Sequence, residues 1–450
     1  MEGLAARPCG NQESAIKTLK NQKSKIKFMK RSPLVVIFTT VFIDLLGFGI
    51  VIPVLPFYAE GTQFNATPRT VGLLFASYSI MQLLFSPVLG RLSDKYGRRP
   101  VLLISIIGTG IGFLILGFAT TLWMLFLGRI LDGISGGNIS TAQAYIADVT
   151  TKEDRAKGMG LLGAAFGLGF IFGPALGGIL SKWGIHVPFL FAAGLCFANA
   201  ILLYFTLPET VTPDHPARIS AAGGRGFTQL LESLKQPRLG FVLTIYFLFV
   251  VAFSIMTTSF SLYTMFRFGY DAHHNGYLFA YVGVIAVIIQ GVLIGRLVKR
   301  FGELWLVIVG ALFFAVSLFA VPFVGPNAGG LLALLIGGGV FSLGNSLSTP
   351  ALNSLASKSV GPAEQGSVLG VTQSVASLAR AVGPSIAAVL INSNSPEMGA
   401  DGAQHYMSDH SLFVTFWTGS VIMFFAFLLA VYFRRVHAPE YSESDAVAAA

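Results

Sequence analysis

Long apolar stretches, each about the length that crosses a bilayer, recur along nearly the whole chain. They occupy residues 33–58, 70–92, 100–119, 121–146, 157–181 and 187–207, then 239–267, 272–297, 302–324, 329–355, 364–391 and 410–434. A membrane helix needs about 20 consecutive apolar residues, and buried backbone in lipid must satisfy its own hydrogen bonds. A chain built this way has few choices. The pattern predicts an all-α membrane protein with twelve transmembrane helices. Composition agrees: only 11% of the 450 residues are charged and mean hydropathy is +0.70, against about 25% charged in soluble domains. The first apolar run follows a lysine-rich stretch and is too long for a signal-peptide core, so it reads as an uncleaved first helix.

The bases between the stretches give an orientation. If residues 1–32 face the cytoplasm, 25 of the 30 Lys and Arg fall on that side. Arg69, Lys182 and Arg267 fall on the other side, and Arg129 and Arg380 lie within spans. Basic loops stay cytoplasmic, so the bias puts both termini inside. The net charge of +9 is thus about topology and the lipid surface, not nucleic acid. Cys9 and Cys196 are too few and too far apart for a disulfide framework.

An internal repeat divides the chain. Gly90-Arg-Leu-Ser-Asp-Lys-Tyr-Gly97 recurs as Gly295-Arg-Leu-Val-Lys-Arg-Phe-Gly302. Gly137-Asn138 matches Gly344-Asn345, and Gly173-Pro174 matches Gly383-Pro384, each on the equivalent helix. Six helices per copy is an even number, so both copies run the same way through the membrane. That parallel repeat is an arrangement of secondary transporters, whose substrates bind near the midplane between the halves. The expected organisation is a basic cytoplasmic tail (1–32), a six-helix bundle (33–207), a cytoplasmic linker (208–238), a second bundle (239–435) and a short tail (436–450).

Several motifs carry a family resemblance. Gly90 to Pro100 resembles the basic loop of the major facilitator superfamily. Leu127-Gly-Arg-Ile-Leu-Asp-Gly133 resembles its helix 4 motif, with Arg129 as the arginine. Gly167 to Gly178 looks like the helix 5 motif of its exporters. Ile43-Asp-Leu-Leu-Gly-Phe-Gly-Ile-Val-Ile-Pro-Val-Leu-Pro56 and Ala144-Tyr-Ile-Ala-Asp148 are similar to the twelve-helix drug:proton antiporters, especially the tetracycline exporters. The resemblance implies a gating set of Gly90, Asp94, Gly97, Arg98, Gly173 and Pro174. Asp94 is placed to meet the positive end of a helix starting at Pro362-Ala-Glu364, with Arg98 four residues on to hold it. Pro174 frees a backbone carbonyl and permits a bend.

Charges inside the membrane are expensive and mark function. Asp44, Arg129, Asp132 and Arg380 lie within spans. Asp44 is eleven residues past Pro33, about 16 Å deep at about 1.5 Å per residue, near the midplane. An acid there suits proton loading and unloading, so Asp44 and Arg129 are the expected proton-coupling residues. Arg129 and Asp132, three apart, share a helix face. Gln373, Ser377 and Arg380 form a polar stripe on one late helix; with Gln82, Asn138, Gln143, Gln290 and Asn345 they are the candidate substrate-cavity residues, although interhelical hydrogen bonding explains many such groups.

The resemblance also has gaps. Where tetracycline exporters carry an acid in helix 3, a histidine in helix 8 and an acid in helix 9, this chain has Gly112, Ala286 and Phe314. A metal–tetracycline chelate held by such groups is not expected, and a different, less charged organic compound is. The chain has no Gly-Lys dipeptide and so no Walker-type phosphate loop; it shows no catalytic or metal constellation, and the pair His273-His274 stands alone. The expectation is a non-enzymatic, cofactor-free, monomeric, proton-coupled exporter of small amphipathic organic molecules. A metabolite facilitator or importer, or a receptor on the same scaffold, is the alternative.

Overall fold

A computed structural model describes residues 32–151, 155–211, 236–360 and 365–449. Its long helices follow the apolar stretches closely: α1 (Ser32–Glu60), α2 (Pro68–Tyr96), α3 (Arg98–Gly117), α4 (Leu122–Ser135), α5 (Ile139–Val149), α6 (Arg155–Leu180) and α7 (Val187–Thr206). The second series is α8 (Pro237–Phe268), α9 (Ala272–Ile288), α10 (Ile294–Phe301), α11 (Glu303–Ala320), α12 (Gly330–Lys358), α13 (Gln365–Leu390) and α14 (Asp409–Ala449). A two-residue hairpin, β1 (Glu397–Met398) and β2 (Gln404–His405), lies between α13 and α14.

Among the described residues, ten helices are long and apolar enough to cross a membrane. The stretches 121–146 and 364–391 are not among them, for different reasons. The first is not one α-helix. A 3₁₀ turn over Gly136–Asn138 separates α4 from α5, where three residues of low helix propensity follow Ser135. The second is continuous as α13, but Thr372, Gln373, Ser374, Ser377 and Arg380 lower its hydropathy. The 272–297 stretch is also interrupted, by a π-helical segment over Ile289–Leu293.

Helix packing repeats with the sequence. Helix α6 packs on α1 as α13 packs on α8, and α4 packs on α3 as α12 packs on α11. The first repeat's α2 packs on α13, and the second repeat's α9 packs on α6, which is the reciprocal crossing expected of a pseudo-twofold. Gly97 (φ 104°, ψ 151°) and Gly302 (φ 76°, ψ 156°) end α2 and α10 in the same left-handed-side backbone, a conformation that glycine adopts without a Cβ penalty. A further equivalence escapes the motif comparison. Tyr58 donates to the carbonyl of Ala119 at 3.2 Å, and Tyr263 donates to the carbonyls of Val321 and Val324 at 3.0 and 2.6 Å.

Candidate functional site

The four intramembrane charges divide into a closed pair and two separated groups. Arg129 and Asp132 pair at 2.8 Å with both side chains buried, as their three-residue spacing on α4 allows. The Arg129 guanidinium also lies over the Tyr78 ring, 4.3 Å from its centroid. It is thereby held by a carboxylate and a π face together. Asp44 of α1 is buried and forms no ion pair among the described residues. It faces the side-chain amide of Asn138, with Asp132 nearby. Neither polar atom of that amide completes a hydrogen bond within the distance and angle limits of a strong one.

Arg380 of α13 reaches the same region from the second repeat. Among the described residues it has one hydrogen bond, from Nη2 to the Ser377 hydroxyl one turn earlier, at 3.1 Å. Arg380 lines a small cavity with Leu45, Phe48, Tyr78, Gln82, Ile139 and Phe170. Tyr78 is the common neighbour: it lies within electrostatic reach of Asp44, Asp132, Arg129 and Arg380. Gln82 donates to the Tyr78 hydroxyl and to the carbonyl of Gly136, both at 3.0 Å. The break after α4 thus exposes a carbonyl that Gln82 uses. Aromatic rings continue from the cavity across both repeats. Phe48 meets Tyr78 at 5.2 Å and Phe170 at 5.5 Å, and Phe170 meets Phe253 of α8 at 5.9 Å.

Other polar candidates sit farther out. Gln290 lies in the π segment, its amide oxygen 3.6 Å from where a Cβ on Gly167 would stand. Gln143 of α5 similarly faces Gly370 of α13 at 3.9 Å. Gln373 has a buried amide nitrogen without a partner among the described residues. Asn345 accepts from Thr349 on its own helix at 3.2 Å. Helix α12 runs unbroken there, so Asn345 does not share the position that the 3₁₀ turn gives Asn138.

The two ends of the helical assembly differ. At the end with the basic loops, Arg98 is a buried hub. It pairs with Asp94 at 2.5 Å and with Asp148 at 3.0 Å, and donates to Ser93 at 2.7 Å. The backbone N–H groups of Arg98 and Arg99 donate to the Glu209 carboxylate at 2.9 and 3.0 Å, an anion at the start of α3 where the helix dipole favours one. A Cβ on Gly97 would lie 2.5 Å from that carboxylate. The proposed partner of Asp94 at residues 362–364 lies outside the described residues. The second repeat has its own ion pair here with the signs exchanged: Glu303, at the start of α11, meets Lys358, at the end of α12, at 2.5 Å. Among the described residues nothing lies within 4 Å of a Cβ built on Gly160, Gly163, Gly291 or Gly295, and Gly90 has only ordinary contact with Ser140.

At the opposite end the repeats touch backbone to backbone. A Cβ on Gly178 of α6 would stand 2.1 Å from the Cα of Gly276 of α9. His273 bonds the Gly178 carbonyl at 3.1 Å, and His274 pairs with Asp271 at 2.7 Å. Deeper along α6, Gly173 and Pro174 pack against Gly49 of α1. A buried cluster then bridges the repeats. His405 Nδ1 meets Glu60 of α1 at 2.9 Å, and its Nε2 meets Asp401 at 2.9 Å. The Glu60 hydrogen bond, with help from Asp401 and against burial, holds the His405 pKa above its ordinary value.

The family profile of the Major Facilitator Superfamily matches residues 37–384 and, again, 291–449. The chain belongs to the Major Facilitator Superfamily. A class H tetracycline resistance protein of Pasteurella multocida is 32% identical over 363 residues, 79% of this chain and 88% of that protein. Multidrug resistance protein 2 of Bacillus subtilis (strain 168) is 30% identical over 80% of this chain and 89% of its own length. The crystal structure of the human organic anion transporter MFSD10 (TETRAN) superposes with a TM-score of 0.64 at 24% identity, covering 89% of this chain and 99% of that one. This superfamily member is a multi-pass membrane protein of the plasma or bacterial inner membrane, a secondary transporter and not an enzyme.

Within that superfamily its departures have physical causes. Gly112 sits where α3 crosses α4, and a Cβ there would lie 3.0 Å from the Gly128 carbonyl and 3.1 Å from the Asp132 nitrogen. No longer side chain fits. Phe314 is fully buried between Phe249 and Phe341, at 5.2 and 4.7 Å, and Ala286 is buried on α9. Packing occupies all three positions. Sequence reasoning missed Tyr78, whose signal is its four-residue spacing from Gln82 on one helix face. It also missed the contact of Glu60 with His405, 345 residues apart, which Asp401 joins from four residues before His405.

Proposed function

We propose that the protein is a proton-coupled antiporter that exports small amphipathic organic molecules by alternating access, with twelve spans in two six-helix halves and both termini cytoplasmic. The carrying observation is Asp44: a buried carboxyl next in sequence to the cavity-lining Leu45, in no ion pair among the described residues, while the nearby Asp132 is already committed to Arg129. A carboxyl so placed has two ways to be stabilised, by a proton or by a cationic group of the cargo. Either one displaces the other. Mutual exclusion at one carboxyl is what obliges proton entry to alternate with export.

The gates follow from the two ends. Asp94 and Arg98, with Gly90 and Gly97, form the basic-end latch. Gly173 and Pro174 let α6 bend where it packs on α1. Arg129 positions Asp132 and Tyr78 beside the coupling carboxyl and does not itself exchange the proton. Gln82, Asn138, Gln143, Gln290, Asn345, Gln373, Ser377 and Arg380 line or border the path of the cargo. No part of this cycle calls for a second copy of the chain, a nucleic acid or a cofactor.

Purified protein in liposomes, with an imposed pH gradient and a panel of labelled amphipathic compounds, tests the reading. Wild type should move at least one compound against its gradient and acidify the lumen or medium in step. Asp44→Asn should abolish that gradient-driven movement while leaving downhill exchange. Flux that ignores the gradient and is unchanged by Asp44→Asn would overturn it.

A further inference from the structure

Away from the intramembrane charges, the second repeat holds a larger cavity. It measures about 340 Å³ and is lined by α8, α9, α11 and α12. Its cause lies in the repeat. In the register that matches Gly137 with Gly344, Gly133 of α4 corresponds to Val340 of α12. A Cβ on Gly133 would stand 2.4 Å from the Tyr78 carbonyl oxygen, so α4 and α2 meet at the backbone. Val340 lines the cavity instead. The glycines beside it, Gly338 and Gly339, meet only side chains of α9, at 3.5 and 3.1 Å from a built Cβ. Small residues let helices approach closely, and a branched one holds them apart. Just beyond the cavity on α12, the Ser342 hydroxyl donates to the Val282 carbonyl at 2.7 Å and ties α12 back to α9.

Ser317 is the one polar side chain in the lining, and its hydroxyl already donates to the Gly337 carbonyl at 3.0 Å. A cavity with no free polar partner stays dry, and one of about 150 Å³ takes up benzene. Left empty, its walls lose their dispersion contacts. Val316 and Ile336 of the lining are 52% and 58% exposed, so the cavity opens on the outside of the helical assembly. All four walls belong to helices long and apolar enough to cross a membrane, and the medium at that opening is lipid hydrocarbon. The lining residues Val316 to Val321 end α11 and Ala333 to Phe341 begin α12, which sets the cavity toward the end opposite the basic loops.

We propose that this cavity binds an acyl chain of a membrane phospholipid, taken from the leaflet opposite the basic loops. The proposal goes beyond the antiport reading and does not depend on it. A flexible chain without polar atoms fills an irregular slot that offers no hydrogen bond; a headgroup does not. Leu278 of the lining lies two residues after Gly276, whose backbone meets Gly178 across the repeats. The bound chain therefore backs the helix that makes the glycine contact.

The test loads the full chain in liposomes with phosphatidylethanolamine carrying a diazirine near the end of one acyl chain. The protein is extracted into detergent and purified before irradiation, so that only retained chains react, and the labelled residues are mapped by mass spectrometry. Label on Phe279, Val316 and Ile336 should exceed that on Ile104 and Ile201, exposed residues of the first repeat, by at least about tenfold, the scale of some ten lost atom contacts. Ala320→Phe and Ala333→Phe fill the slot from two different helices, and each folded variant should lose most of the cavity label. Wild-type label spread evenly over both repeats overturns the proposal even if neither variant folds. Cavity label at full strength in a folded, filled variant also overturns it. Cavity label that excess tetraphenylphosphonium removes would assign the slot to soluble hydrophobic cations and overturn it too.

Discussion

The two ends of the interface between the repeats are built from different materials. At the basic end the ion pairs among the described residues stay within each repeat: Arg98 with Asp94 and Asp148, Glu303 with Lys358. At the opposite end the repeats meet through bare backbone at Gly178 and Gly276 and through the His405 bridge to Glu60. Close packing resists small displacements everywhere, whereas a bridge of titratable groups can be released chemically. The contrast teaches that the described contacts between the repeats combine tight backbone packing with a titratable bridge at one end, while the described ion pairs at the other end stay within each repeat.

The strongest way to break the contrast is at the glycine contact. Gly178→Leu puts a side chain where only 2.1 Å is available to its first atom. Overpacking of this kind costs about 3 kcal/mol or more. Thermal unfolding in detergent should shift down markedly, and cysteine accessibility should show the glycine end held open. Gly163→Leu, facing open space on the same helix, should leave both readouts near wild type. Equal effects of the two changes would remove the distinction.

The His405 bridge should give an intermediate effect with a defined pH sign. Because its carboxylate partners raise the His405 pKa, the bridge is complete below the ordinary histidine value near 6.5. It is lost as pH rises through the raised value. Spin labels on exposed Asn65 and Ser395 should therefore report separation of the repeats as pH rises through that value. His405→Ala should cost about 2 kcal/mol, as expected for a charged hydrogen bond, and should make the distance independent of pH. A pH response that survives His405→Ala would assign the switch elsewhere.

The smallest effect belongs to the second repeat's surface pair. Lys358 is 54% exposed although Glu303 is only 11% exposed; with its base in solvent the pair contributes about 1 kcal/mol. Glu303→Gln should barely move the unfolding temperature. Arg98→Gln, in contrast, leaves Asp94 and Asp148 without the guanidinium that all of its neighbours share, and should be clearly measurable by the same assay.

Much of this molecule is legible in its sequence. The apolar stretches, the repeat and the Arg129–Asp132 spacing all reappear as structure, because membrane length, backbone satisfaction and helical pitch are local rules. Other features depend on what meets across the fold. The 3₁₀ turn at Gly136–Asn138 arises where a glycine pair meets packing on α2. Tyr78 earns its importance only because α4 and α13 bring arginines to it. Glu60 and His405 are distant in sequence, so nothing in either neighbourhood announces the other. Asn345, matched to Asn138 by motif, diverges because α12 stays helical.

The exchanged signs of the two basic-end pairs have a consequence for how the chain is made. Two similar helix series emerging one after the other could trade partners, a familiar failure of repeated domains. Here a mistaken pairing of the α3 start with the α12 end would set Arg98 against Lys358, and the converse error would set Glu303 against Asp148. Like charges in contact penalise the wrong partner, so the reversed polarity disfavours the exchanged pairings.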